Sequence, residues 1–93
     1  MTTLHTINCT PSNRDCWQDC LNAISDGDTL LMIENGVYGA MSKADFWPDN
    51  VQIAALEGDL KARGLSAPAS VETISMQAFV ELSVQHSKVV SWF

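Results

Sequence analysis

The sequence predicts a single α/β domain covering residues 1–93, an open, mostly parallel sheet with helices on both faces. Short apolar runs alternate with stretches of helical periodicity along the chain, which is typical of strands joined by crossover helices. The run TLLMI (29–33) is apolar without interruption, as expected for a strand buried on both faces of a parallel sheet. With 93 residues and an apolar fraction of 46%, the chain is long enough for one compact core and too short for two.

Apolar runs and a β-prone tail are the predicted strands. TLHTI (3–7) is the first and TLLMI the second. VQIAAL (51–56) is the third and SVETI (70–74) a weaker fourth. The tail KVVSWF (88–93) is also β-prone and closes the chain.

The first two helices are predicted between the early strands. Ser12 is the expected N-cap of helix 1, with Asp15 three residues later and Pro11 just ahead of it. This helix ends before Gly27. A short second helix is expected to follow Gly36.

Two further helices follow the third and fourth strands. The third, GDLKAR (58–63), carries an acidic residue near its start and basic residues near its end, with Gly64 as the stop signal. The fourth runs from about Met76 to His86, with Ser75 as its cap.

The charge balance and the N-terminus limit the classes of function. Five Lys and Arg against eleven Asp and Glu give a net charge of −6, which disfavours direct binding to nucleic acid. The segment MTTLHTINCT lacks the basic region and long apolar core of a signal peptide. No apolar run approaches the roughly 18 residues that a membrane span needs. We therefore expect a cytoplasmic protein that does not enter a membrane.

Three cysteines, Cys9, Cys16 and Cys20, lie in the first twenty residues. Cytoplasmic thiols are normally kept reduced, and an odd number does not suit a disulfide framework. Core packing, metal binding and sulfur chemistry are the remaining interpretations. Cys9 falls in the loop after the first strand, at the carboxyl edge where open α/β sheets usually place their chemistry.

Helical periodicity predicts different solvent exposures for the two cysteines of helix 1. Trp17, Leu21 and Ile24 form its apolar stripe. Cys20 falls at the edge of that stripe and is predicted to be half-buried, whereas Cys16 lies further out and is predicted to be more exposed. The simplest interpretation of Cys20 is a small apolar residue beside the core.

Metal binding and dithiol chemistry find little support in these spacings. Cys16 and Cys20 form a Cys-x3-Cys pair, and His5 and His86 are far away in sequence, so a zinc site is disfavoured. The Cys-x-x-Cys motif of thioredoxin-type dithiols is absent.

The charges near the thiols do not favour a self-sufficient nucleophile. Asp15 and Asp19 flank them and only Arg14 opposes this negative charge, so a reactive Cys20 would have to be activated by a partner.

The sequence predicts structural or contact roles for the paired aspartates and the three tryptophans. Asp26 and Asp28 flank Gly27 at a helix exit, which favours a turn over catalysis by paired carboxylates. Trp17 is assigned to the core. Trp47 and Trp92 are candidates for contact with other chains, and the alternative for each is a small apolar cluster beneath a loop.

Four segments in register resemble the DsrH/TusB family of sulfur-relay subunits. They are LHTI at the start, GDTLLMIENGVYGA (27–40), ALEGDLKARGL (55–65) and FVELSVQHSKVVSWF (79–93). The resemblance extends from Leu4 almost to the last residue. It implies an open α/β fold shared with two sister subunits, DsrE/TusD-like and DsrF/TusC-like, in a dimer of heterotrimers.

The resemblance also implies a chemistry without a cofactor. Sulfur would be carried as a cysteine persulfide, for dissimilatory sulfur oxidation or for 2-thiolation of the tRNA wobble uridine, and passed to a downstream persulfide-accepting protein. DsrH-type members carry a cysteine before a leucine on helix 1, and DCLNA places Cys20 there as the candidate catalytic residue. Its retention favours the sulfur-oxidation branch. Cys9 and Cys16 match no family position. The alternative is a structural subunit whose sister carries the reactive cysteine.

Overall fold

A computed structural model describes residues 1–93 and confirms the predicted fold class. The strands are β1 (Thr3–Ile7), β2 (Thr29–Met32), β3 (Gln52–Leu56), β4 (Glu72–Ile74) and β5 (Lys88–Trp92), and the helices are α1 (Arg14–Ala23), α2 (Glu57–Ala62) and α3 (Met76–Gln85). All five strands pair in parallel, in the order β4-β3-β2-β1-β5. No helix has the length and apolar character that crossing a membrane requires.

The alternation of side chains along the strands produces two cores, one on each face of the sheet. The larger core lies on the face that also receives side chains of α1 and α2, and its twelve buried residues include Ile7, Trp17, Cys20 and Leu60. The smaller core lies beneath α3 and is made by Leu4, Leu31, Ala54, Leu56, Ile74 and Leu82. Only one helix therefore covers the second face, whereas the first is covered by most of the connecting segments.

Helix α1 begins one residue later than the sequence predicts. Asn13, not Ser12, is the N-cap, and its Oδ1 accepts a hydrogen bond of 3.3 Å from the backbone N–H of Cys16. The Ser12 hydroxyl instead lies 2.6 Å from that of Thr10. The loop thus uses its own side chains to turn the chain from β1 into the helix.

The predicted second helix is a 3₁₀ segment, Glu34–Met41, followed by a single 3₁₀ turn at Ala44–Phe46. Gly36 is buried against the carbonyl group of Ile7, and a Cβ atom there would overlap that group. Gly39 lies under the ring of Trp17, which would likewise collide with a side chain. The tight winding therefore follows from two close approaches that only glycine allows.

Helix α3 has the predicted cap. The Ser75 hydroxyl accepts a hydrogen bond of 3.1 Å from the N–H of Ala78, and the helix ends at Gln85. It joins β4 at one edge of the sheet to β5 at the other.

Replacing Gly36 by alanine tests the close approach of the 3₁₀ segment to β1. We expect Gly36→Ala to lower the free energy of unfolding by about 1–3 kcal/mol, since the added methyl group has to displace backbone. Gly58 in α2 is the matched control, because a Cβ there meets nothing within 4 Å. Gly58→Ala is expected to be neutral or stabilising by up to about 1 kcal/mol. Denaturant unfolding of both variants is the measurement, and equal effects would contradict the packing described.

Candidate functional site

The cysteines gather where β1 ends and α1 begins, at the carboxyl edge of the sheet. Cys9 is the second residue after β1, and its carbonyl oxygen accepts a hydrogen bond of 2.9 Å from Nε1 of Trp17. This bond ties the loop to the first turns of α1. Parallel α/β sheets usually have their functional sites at this edge.

Cys9 and Cys16 are joined by a disulfide bond, so the expectation that all three thiols are reduced was wrong for this pair. Neither residue has a role predicted from the sequence. A local turn brings them together: the N–H of Asn13 bonds the carbonyl of Thr10 at 2.9 Å, folding the loop back so that the start of α1 faces the end of β1. Both cysteines are half-buried and pack against the larger core.

Cys20 lies in a different environment from the one predicted. It has no exposed surface at all, whereas the wheel of α1 predicted a half-buried position. The side of α1 that faces the sheet is centred on Trp17 and Cys20, while Leu21 and Ile24 are only partly buried. The 3₁₀ segment contributes Val37 to the larger core, in which Cys20 also lies. A helical wheel of α1 contains no information about this other segment.

Burial also determines the protonation state of Cys20. Removal from solvent raises the pKa of its thiol to about 12, because the charged thiolate is the form that desolvation disfavours. The thiolate is the nucleophile in sulfur transfer, so burial disfavours the reactive form of Cys20 near neutral pH. The role of Cys20 as a carrier stays a prediction.

An open cavity lies at the carboxyl edge between β1 and β5. Its volume is about 200 Å³ and its lining residues are Thr6, Asn8, Ile33, Ser91, Trp92 and Phe93. Strand β1 pairs on one side with β2, the next strand in the chain, and on the other side with β5, the last strand. Ligands in open α/β sheets usually bind where the strand order reverses in this way. Two of the lining residues are joined by a backbone hydrogen bond of 3.2 Å, which the N–H of Asn8 donates to the carbonyl of Trp92.

The two tryptophans predicted to contact other chains have internal partners. Trp47 is buried in the larger core with its ring centroid 6.3 Å from that of Trp17 and 5.0 Å from that of Phe46. Its Nε1 is buried without a hydrogen-bond partner. Trp92 is half-buried and donates from Nε1 to Nδ1 of His5 at 3.1 Å. The prediction of contacts with other chains was wrong for Trp47, because the chain folds it inward.

His5 and Asp28 form a buried pair that sequence reasoning missed. Because the Trp92 indole only donates, Nδ1 of His5 is the acceptor, and its Nε2 carries the hydrogen donated to Asp28 Oδ2 at 3.0 Å. Asp28 also accepts from the backbone N–H groups of Thr3 and Ser25, both at 2.9 Å. Burial alone raises the pKa of Asp28, but these hydrogen bonds outweigh it and hold the pKa below its ordinary value. This network joins β1, β2 and β5.

No group of three or more His, Cys, Asp or Glu side chains is arranged to hold a metal ion. His86, the second histidine, lies between two threonine hydroxyls, with its ring nitrogens 2.8 Å from Thr2 and 2.9 Å from Thr29. Each histidine thus has a structural hydrogen-bonding role.

Comparison with known proteins gives the chain's relatives. A family described as "DsrH like protein" matches residues 10–89. The chain is 33% identical to Protein TusB of Cronobacter sakazakii, over 86% of this chain and 95% of the relative. It is 33% identical to Protein TusB of Enterobacter sp. and 34% identical to that of an Escherichia coli strain, each over 96% of this chain and 99% of the relative.

The fold has a counterpart among solved structures. The crystal structure of the ychN protein from E. coli superposes with a TM-score of 0.72, covering 98% of this chain and 99% of the other at 14% identity. At that identity the match establishes the fold alone. The family match and the full-length TusB relatives together identify this chain as a member of the DsrH/TusB family of sulfur-relay proteins.

Proposed function

We propose that this chain is a cytoplasmic subunit of a sulfur-relay complex, assembled with TusC-like and TusD-like partners and serving the 2-thiolation of tRNA. Its full-length relatives carry the name TusB, which favours the tRNA branch over the sulfur-oxidation branch that the retention of Cys20 suggested. The net charge of −6 favours contact with protein partners over direct contact with tRNA. A downstream persulfide-accepting protein then receives the sulfur.

Within that complex, the role that the geometry supports best is structural, with the relay cysteine on a sister subunit. The complete burial of Cys20 is the observation that carries this proposal. A carrier thiol has to meet a donor and then an acceptor, and both encounters need an exposed sulfur atom. Cys20 is not exposed to a donor or to an acceptor in this fold. Its raised pKa also disfavours the thiolate form.

The competing hypothesis is that Cys20 carries the persulfide, as the family resemblance implies. It requires α1 to move away from the sheet when a partner docks. That motion would break the bond from Trp17 to Cys9 and expose Trp17, which is only 4% exposed in the folded chain. Exposing a large aromatic side chain costs on the order of 1.5–3 kcal/mol before any chemistry takes place.

The outer face of α3 is the surface we propose for partner contact. Met76, Val80 and Val84 are 60%, 56% and 80% exposed and recur every four residues, so they form one apolar stripe on that face. Helix positions that face solvent in a monomer are normally polar. A partner subunit that covers this stripe would remove its apolar surface from water.

Sulfur loading of the assembled complex distinguishes the two roles of Cys20. The complex is purified after co-expression of the three subunits, incubated with a persulfide donor and digested for peptide mass spectrometry. We expect an added sulfur atom on a sister subunit and none on the Cys20 peptide. The Cys20→Ala variant should assemble and pass sulfur as the native chain does, since alanine also suits a small buried site. An added sulfur on Cys20, or loss of transfer in the variant, would instead establish the carrier role.

Substitution of Val84, the most exposed residue of the stripe, tests the proposed contact surface. Val84→Glu should abolish co-purification of the sister subunits, because it places a charge in the apolar contact. The fold of the isolated chain should survive, since the side chain is largely in solvent. Gln85→Glu adds the same charge one residue away without removing apolar surface and is the matched control. Equal co-purification of the two variants would exclude this face as the contact.

A further inference from the structure

The Cys9–Cys16 pair stands apart from the proposed structural role, because it is the one place where two sulfur atoms of this chain can react with each other. Cys20, the third cysteine, is fully buried, while Cys9 and Cys16 are both half-buried at the carboxyl edge. The loop that joins them is exposed from Pro11 to Asp15. A donor can therefore approach the pair without disturbing the sheet.

Contacts independent of the disulfide hold the two cysteines together. Trp17 fixes the backbone of Cys9 by its bond to the carbonyl oxygen, and the turn from Thr10 to Asn13 closes the loop. The Cα atoms of the two cysteines are 7.1 Å apart, slightly beyond the roughly 4.4–6.8 Å that disulfides usually span. The turn and the Trp17 bond keep the two residues near each other in the reduced dithiol, and closing the bond requires a shift of the loop backbone.

Cys16 is the better nucleophile of the pair. It is the third residue of α1, and its own N–H is one of the donors at the positive end of the helix dipole. The guanidinium of Arg14 lies on the same first turn, while Asp15 beside it and Asp19 one turn further on oppose thiolate formation. Cys9 lies in the loop outside the helix and gains no comparable stabilisation.

We propose that Cys9 and Cys16 form a second sulfur site, a dithiol that accepts sulfane sulfur from a persulfide and releases it as sulfide while closing to the disulfide. In the first step the Cys16 thiolate attacks the outer sulfur of a donor persulfide, R–S–SH. The new bond gives Cys16–S–SH, and the donor leaves as the thiolate R–S⁻.

In the second step the Cys9 thiolate attacks the inner sulfur of Cys16–S–SH. The bond between Cys9 and Cys16 forms, the bond to the outer sulfur breaks, and HS⁻ leaves with the electron pair. The sulfane sulfur is reduced to sulfide and the two cysteine thiols are oxidised to the disulfide, so the electrons balance. A dithiol reductant of the thioredoxin class then reopens the bond, as expected where disulfides are transient and catalytic.

The test uses the full chain, reduced and freed of reductant, with one equivalent of glutathione persulfide. We expect one sulfide per chain, and intact mass spectrometry should show the loss of two hydrogen atoms and no retained sulfur. Cys9→Ser removes the second step, so this variant should release no sulfide and retain one sulfur atom on Cys16. Cys20→Ala is the control and should behave as the native chain does.

Three outcomes would overturn the proposal: no sulfide from the native chain, sulfide from Cys9→Ser at the native yield, or loss of sulfide in Cys20→Ala. Circular dichroism of each variant separates loss of chemistry from loss of fold. The isolated chain is sufficient for this assay. A failure here leaves the proposed subunit role intact, and failure of co-purification leaves this chemistry intact.

Discussion

The packing of Trp17 against the sheet is the interaction on which the chemistry of this chain depends. Its ring lies over Gly39 of the 3₁₀ segment, and its indole N–H holds the carbonyl of Cys9. The ring thereby packs α1 against the larger core. Cys20, one turn from Cys16, is buried in the same core. Trp17 thus packs beside both the buried thiol of Cys20 and the half-buried Cys9–Cys16 pair.

The difference in burial between Cys20 and the Cys9–Cys16 pair bears on which cysteine can take part in sulfur transfer. A cysteine at a family position does not act as a carrier if neighbouring segments cover it, because sulfur transfer needs both access and a thiolate. Here the fully buried cysteine is Cys20, whereas Cys9 and Cys16 are half-buried. In the roles proposed above, the subunit contacts its partners through α3, and a separate sulfur chemistry lies at the carboxyl edge of the sheet.

Much of the fold could be predicted from the sequence, since strand signals and helix caps are local. TLLMI forms β2, and Ser75 caps α3 as its position before an apolar run indicates. The site could be predicted less well, because each decisive contact links distant or differently wound segments. Cys20 belongs to a buried cluster that includes Val37 of the 3₁₀ segment, which a wheel of α1 does not include. His5, Asp28 and Trp92 meet only after β2 and β5 have paired with β1.

The central claim, that Cys20 is a buried thiol in a protein whose reactive sulfur lies elsewhere, can be tested on one reduced sample. Chains labelled with ¹³C at the cysteine Cβ atoms give one NMR signal per cysteine, and each signal shifts as its thiol ionises. The account predicts that the Cys20 signal stays constant up to a pH of about 10, beyond the ordinary cysteine pKa of about 8.5, because burial raises the pKa of this thiol to about 12. A Cys20 signal that titrates near the ordinary cysteine pKa of about 8.5 would contradict it.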